Sequence, residues 1–286
     1  MASVKDCLDE GAAVLRAARI ESPRMEARLL LAHTSGLSVT TLLGYPERIV
    51  ENQMAFLDLT RRRAAREPIA HLVGYREFWS MPFKVTADTL VPRPDTETVI
   101  EAVLEFYVKK TPPGRVLDFG TGTGCLLLTL LSEIPSATGL GVDVSPAAAR
   151  VAQENSVALG FDDAAMGYAR RAAFVVSHWG DALSGKFDLI VSNPPYIPSA
   201  EIDGLEKDVA GFEPRLALSG GEDGLTAYRI LLPTFSKLLS PHGIAVLEFG
   251  DGQSDRVSAL VQESGMTVVS IHADLGGRER CVVCQI

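Results

Sequence analysis

The sequence predicts an α/β protein: a mostly parallel sheet of seven strands, preceded by a small all-helical domain and a β-hairpin linker. Three observations carry that prediction. From Arg115 onward, short runs rich in Val, Ile, Leu and Phe alternate with helical segments, as successive βαβ units do. Before residue 74, apolar residues recur at helical spacing. Between these regions, "GYREFWSMPFKVTADTLV" is aromatic, β-branched and punctuated by turn residues. The expected division is 1–73 (helical, substrate-recognising), 74–92 (hairpin linker) and 93–286 (catalytic sheet).

Taken in order, Val4, Leu8, Ala12 and Leu15 form one apolar helix face. "SPRMEARLLLAHTSG" opens with Ser22 as a cap and Pro23 at the first helical position, and ends near Gly36. "ENQMAFLDLTRRRAARE" is a third helix, stopped before Pro68; its Arg61, Arg62 and Arg63, with Arg66, read as a solvated basic face. After the hairpin, "PRPDTETVIEAVLEFYV" is a long amphipathic helix with Asp95 or Thr96 placed to cap it. The strands follow as "RVLDF", "TGLGVDV", "RAAFVVS", "FDLIVS", "GIAVLEF", "MTVVSIHA" and "RCVVCQI", the last two antiparallel.

Composition narrows the function. The 27 Lys and Arg against 36 Asp and Glu leave a formal net charge of −9, a poor basis for gripping nucleic acid or an anionic membrane. No apolar run reaches the roughly 18 residues of a membrane span. "MASVKDCLDEG" does not read as a secretory signal, so a cytoplasmic location is expected. Cys281 and Cys284 are three apart on a strand and face opposite sides, so no metal site is expected.

The first strand runs into Gly120-Thr121-Gly122-Thr123-Gly124 and then an apolar helix. Such a turn lets a ligand press against bare backbone at a helix N-terminus. Its G-x-G-x-G spacing is not the dinucleotide fingerprint G-x-G-x-x-G, which disfavours a dehydrogenase. About twenty residues on, the second strand ends in Asp143, where a carboxylate can accept both hydroxyls of a ribose. Ser145 is there to cap the following helix, which frees Asp143 for a nucleoside-bearing cofactor.

The fourth strand stops abruptly at Asn193-Pro194-Pro195-Tyr196. Neither proline can donate to a ladder, and the residue before a proline is held extended. The stiff backbone leaves the Asn193 side-chain oxygen and the Pro194 carbonyl free to receive both hydrogens of an –NH₂ group, with the Tyr196 ring against the planar group that bears it. This is a socket for a planar amide or amine, and a sulfonium methyl donor would need positioning more than a general base.

These residues, with "FEPRLALSGGEDGLTAYR", "VLEFGDGQ", "DLGGRERCVV" and "LVPRPDTE", resemble the peptide-chain release-factor glutamine methyltransferases, the HemK/PrmC family, from the N-terminal helices to the C-terminus. The resemblance implies a Rossmann-like class I methyltransferase fold, S-adenosyl-L-methionine as cofactor, and peptide chain release factors as partners. The reaction it implies is methylation of the glutamine side-chain amide nitrogen in their Gly-Gly-Gln loop. It assigns Gly120 to Gly124 to the methionine part of the cofactor, Asp143 to the ribose and Trp179 to the adenine. Asn193 would touch both cofactor and glutamine, while Pro194, Pro195 and Tyr196 complete the glutamine socket. A monomer with no direct nucleic-acid partner is expected. Three departures stand out: His178 in place of a common acidic residue, Asp95 in place of Glu, and a long "DDAAMGYARRA" connection before the third strand. The rival readings are an N6-adenine or N4-cytosine nucleic-acid methyltransferase, which would also use such a socket, and a catalytically silent cofactor-binding partner.

Overall fold

The computed structural model describes residues 2–162 and 170–286, and these form two compact units. The first is Met1–Tyr75 together with Glu206–Phe212; the second is Arg76–Leu205 together with Glu213–Ile286.

In the first unit, α1 (Val4–Ala17), α2 (Pro23–Ser35), α3 (Val39–Gly44), α4 (Gln53–Ala64) and α5 (Ile69–Val73) enclose a core of Leu8, Leu15, Leu30, Leu31 and Phe56. A capping box between Ser3 and Asp6 starts α1. Pro23 does open α2 and Gly36 closes it in the left-handed region, but Ser22 makes no side-chain cap bond. The two short helices α3 and α5 lie outside the three expected, being too brief to show a period. The arginine cluster is a solvated face only in part: Arg61 and Arg62 are exposed, whereas Arg63 is not. Arg63 is buried and clamped by Glu26, with Nε to Oε2 at 2.6 Å, and by Asp208 Oδ2 at 3.3 Å from both Nη atoms. Arg62 pairs with Glu67, and Arg66 donates to the Ala18 carbonyl. Glu26, Asp208 and Ala18 come from distant sequence positions, which a local pattern cannot reveal.

A two-stranded sheet follows, β1 (Tyr75–Phe78) and β2 (Met81–Lys84). Next come α6 (Glu97–Tyr107), β3 (Arg115–Phe119), α7 (Cys125–Glu133), β4 (Thr138–Asp143), α8 (Pro146–Ala158), β5 (Ala172–Val176) and β6 (Phe187–Ser192). The remainder is α9 (Lys207–Ala210) in the first unit, α10 (Arg215–Leu218), α11 (Thr226–Leu238), β7 (Leu239–Glu248), α12 (Ser254–Glu263), β8 (Thr267–Ala273) and β9 (Glu279–Gln285). The long connection before β5 falls largely on 163–169, outside the described residues.

The seven strands stand in the order β5-β4-β3-β6-β7-β9-β8. β3 to β7 pair in parallel, and β9 runs antiparallel to both β7 and β8. Period-two alternation fills both faces. Val116, Leu189, Val191, Ile244, Cys281 and Val283 pack under α6 and α7, whereas Leu117, Phe119, Ile190, Leu247, Val282 and Cys284 pack under α11 and α12. Cys281 and Cys284 therefore bury on opposite faces, and the described residues hold no group of metal ligands. The chain winds from β3 outward through β4 and β5, then returns to the other side of β3 with β6. That reversal opens a crevice at the carboxyl ends of β3 and β6, where ligands lodge in such sheets.

Candidate active site

A cavity of about 450 Å³ lies at that crevice. The register pairs Phe119 with Ser192, so the glycine turn after β3 and Asn193 after β6 leave the sheet side by side. A buried bond holds them there, from the Ser192 hydroxyl to the Phe119 carbonyl at 2.8 Å.

The glycine turn is held open by backbone geometry. Gly120, Gly122 and Gly124 take φ of +69°, +55° and +81°, values that side chains on L-residues resist. Gly120 and Thr121 donate to the Val142 carbonyl at 2.8 and 3.0 Å, pinning the turn to β4. Buried Asn155 braces it from below, with Nδ2 donating to the Thr123 carbonyl at 2.9 Å. Gly120 through Thr123 line the cavity, whereas Gly124 forms the N-cap of α7.

Asp143 stands at the end of β4, half-buried on the cavity wall. Its Oδ2 accepts from Gly122 N–H at 2.9 Å and its Oδ1 from Ser145 N–H at 2.9 Å. The carboxylate is thus locked in place with lone pairs to spare, and Ser145 caps α8 as expected. Asp118 shares this wall and was not anticipated. It is buried, accepts from the Thr121 hydroxyl at 2.7 Å through Oδ2, and leaves Oδ1 without a partner. Burial pushes its pKa up to about 7, with Asp143 adding to the effect and the Thr121 bond opposing it. A carboxyl inside the apolar run "RVLDF" was the available signal.

Trp179 also lines the cavity, with its ring tilted against Phe119 at 6.5 Å. It takes a φ of +48°, a strained choice for an aromatic residue that aims the ring. His178 beside it lies 3.5 Å from Asp181.

The Asn-Pro-Pro-Tyr segment divides between wall and support. Asn193 and Pro195 face the cavity, whereas Pro194 is buried and the Tyr196 ring packs against Gly250, off the cavity wall. Gln253 fastens the segment from behind, its Nε2 donating to the Tyr196 carbonyl at 2.9 Å and its Oε1 accepting from Gly250 N–H. Burial and the nearby Glu248 carboxyl hold the Tyr196 hydroxyl protonated well above its ordinary range.

Neither Asp95 nor Thr96 caps α6, which starts from a 3₁₀ turn with no side-chain cap bond. Both are drawn instead into a polar cluster beside Asn193, Thr96 buried at the cavity wall and Asp95 half-exposed at the cluster's rim. Asn193 Nδ2 donates to Thr96 Oγ1 at 3.1 Å, and Asp95 pairs with Arg280 at 2.8 Å. Arg280 is also held by Asp274 at 2.7 Å. Glu248, at the end of β7, completes the cluster and escapes a local reading, as a lone carboxyl in "VLEF". On the far rim, Arg93 pairs with Glu213 at 2.7 Å, tying the stretch before α6 to "FEPRLAL".

Comparison with known proteins gives the family and the fold. Residues 6–74 match the model of the PrmC N-terminal domain, and 100–206 that of the methyltransferase small domain. The chain is 48% identical over 280 residues to the release factor glutamine methyltransferase of Rhodospirillum rubrum, spanning 97% of this chain and 83% of that one. It is 42% identical over 283 residues to that of Cereibacter sphaeroides, spanning 98% of each. Among solved structures, a methyltransferase from Pyrococcus furiosus shares the fold at a TM-score of 0.52 and 16% identity, over 80% of this chain and 99% of that one. The ribosomal protein L11 methylase from Lactobacillus delbrueckii subsp. bulgaricus does so at 0.50 and 17%, over 74% and 89%. By sequence along nearly its whole length, the chain belongs to the release factor glutamine methyltransferases.

Proposed function

We propose that this enzyme transfers a methyl group from S-adenosyl-L-methionine to the side-chain amide nitrogen of the glutamine in the Gly-Gly-Gln loop of peptide chain release factors. The observation that carries the proposal is the placing of a glycine cradle and Asn193 on adjacent strand ends of one cavity.

The residues present fit the cofactor. Three carboxyl groups on the wall, Asp88, Asp118 and Asp143, against the single guanidinium of Arg93, suit a ligand with cationic ammonium and sulfonium centres. Asp118 Oδ1, buried and without a partner, supplies an acceptor for the amino group. Gly120 to Thr123 hold the methionine part, with Gly124 shaping the turn behind them, Asp143 the ribose hydroxyls, and Trp179 the adenine face. When bound, the cofactor supplies an electrophilic methyl group.

This chain's own residues do the rest by positioning. The Asn193 side-chain oxygen and the Pro194 carbonyl accept the two amide hydrogens, which aims the nitrogen lone pair and stabilises the charge that develops there. Pro195 and Tyr196 keep that backbone rigid, and Tyr196, held neutral, adds no charge. No side-chain base acts before methyl transfer; once the nitrogen–carbon bond has formed, the methylated amide gives up one of its two N–H protons to solvent.

The test is label transfer from methyl-labelled S-adenosyl-L-methionine to an intact release factor, to the same factor with its Gly-Gly-Gln glutamine replaced, and to DNA. Label confined to the intact factor is expected. Equal label on the replaced factor, or label mainly on DNA adenine, overturns the proposal.

A further inference from the structure

Behind Asn193 lies a carboxyl group to which the mechanism above gives no role. Ser192 and Leu247 are register partners, so the next residues, Asn193 and Glu248, leave adjacent parallel strands together. Glu248 is 2% exposed, and its Oε2 has no partner. The Thr96 and Asn193 side chains stand beside it and favour its charged form, and Asn193 Nδ2 donates to Thr96 Oγ1 at 3.1 Å.

This arrangement has a direction. A carboxylate only accepts, so a Thr96 hydroxyl turned toward it gives its proton to Glu248 and then only accepts from Asn193, as it does here. Asn193 must therefore turn its –NH₂ toward the cluster, which leaves Oδ1 for the cavity. A neutral carboxyl can donate instead. The Thr96 hydroxyl is then free to reverse, and Asn193 can present –NH₂ to the cavity, where it would meet the –NH₂ of the substrate donor to donor.

We propose that Glu248 is a positioning residue, whose carboxylate fixes the Asn193 amide with its oxygen toward the substrate and whose protonation releases that amide to turn. This inference rests on the function proposed above.

The surroundings let Glu248 change charge in a useful range. Burial pushes its pKa up to about 7, with Thr96, Arg280 and Asn193 opposing and Asp95 reinforcing. The groups facing it are Arg280 and Cys281 from β9, Asp95 from the turn before α6, Tyr196 after β6, Tyr228 from α11 and Cys125 from α7. The tyrosines and cysteines are all held protonated above their ordinary ranges. Arg280 already answers Asp95 and Asp274, so it cannot hold Glu248 fully ionised. Asp118 titrates in the same range and must be told apart.

The experiment measures kcat between pH 5.5 and 8.5 for the full-length wild type, Glu248→Gln and Thr96→Val with a release factor, and cofactor Kd by calorimetry. In substrate-free protein it also follows the Asn193 side-chain amide signals by ¹⁵N NMR, assigned by their loss in Asn193→Ala. Wild-type kcat should fall on the acid side with a midpoint near 7, and the Asn193 signals should move with the same midpoint. Glu248→Gln keeps an acceptor oxygen that cannot be protonated, so the acid limb and the NMR titration should vanish. Its kcat at pH 8 should drop about tenfold as a charge-assisted bond becomes a neutral one. Thr96→Val should lower kcat about tenfold with cofactor Kd unchanged. The inference is overturned by an acid limb that survives in Glu248→Gln, which would belong to Asp118. It is equally overturned by Thr96→Val within twofold of wild type, by losses confined to KM, or by Asn193 signals that ignore pH. A wild-type chain that labels no release factor would defeat the function proposed above; the NMR titration would still decide this point.

Discussion

Two neighbouring stretches of one sheet edge build the cavity wall by different means. After β3 and β4 the cavity wall rests on backbone: Gly120 and Gly122 in the left-handed region, N–H groups bonded to Val142 and Asp143, and carboxyls of Asp118 and Asp143 that are each held by hydrogen bonds. After β6 and β7 it is built of side chains, where Asn193 is backed by Thr96, Glu248 and Arg280 and fastened through Tyr196 by Gln253. A backbone cradle has one shape and suits a group that must be held. A side-chain relay can exist in two proton arrangements and suits a group that must be presented to a reaction.

The sharpest way to break this comparison is Asn193→Ala. Removing one preorganised hydrogen-bond group from a developing charge costs about 10²–10³ in turnover, or about 2.7–4 kcal/mol. Single-turnover rates should fall that far while release-factor affinity changes only a few-fold; a rate within a few-fold of wild type would erase the distinction. Asp143→Ala is the counterpart on the backbone side. Losing its charge-assisted bonds to the ribose should weaken cofactor affinity by about 1.5–3 kcal/mol, read by calorimetry, in a chain that still folds. Unchanged affinity would take Asp143 out of the site.

The next effect is structural. At Gly124 an added Cβ would sit 3.2 Å from Ala152 Cβ and 3.3 Å from Leu128 Cδ1, with φ at +81°. Gly124→Ala should cost about 1–2 kcal/mol in denaturant unfolding. A midpoint equal to wild type would mean that the turn can relax, and that its rigidity is not what separates the two walls. The smallest expected effect is Ser192→Ala, which removes the buried bond joining them, at about 1 kcal/mol. A loss of turnover beyond that of stability would show the walls to be coupled more closely than one hydrogen bond.

The same contrast explains what could be read in the sequence. All seven strands of the sheet and their order of appearance follow from alternating apolar runs, because each is a local pattern. Gly120 to Gly124, Asp143 and Asn193 were legible because motif and spacing place them at strand ends beside one crevice. Thr96 and Asp95 looked like caps because a helix follows them, and nothing nearby announces Asn193 or Arg280. Arg63 looked solvated for the same reason, with Glu26 and Asp208 far along the chain. Roles set by neighbours in space, when those neighbours are remote in sequence, leave no local trace.

The membership of Glu206–Phe212 in the helical unit bears on how the protein is made. A ribosome releases Met1–Tyr75 early, but the Asp208 carboxylate that clamps Arg63 emerges only after most of the catalytic sheet has been translated. At about 5–20 residues per second the delay is on the order of ten seconds. Throughout that interval Arg63 has Glu26 but not Asp208, so the nascent helices lack a permanent part of their own structure. A fragment ending at residue 75 would be arrested in that state.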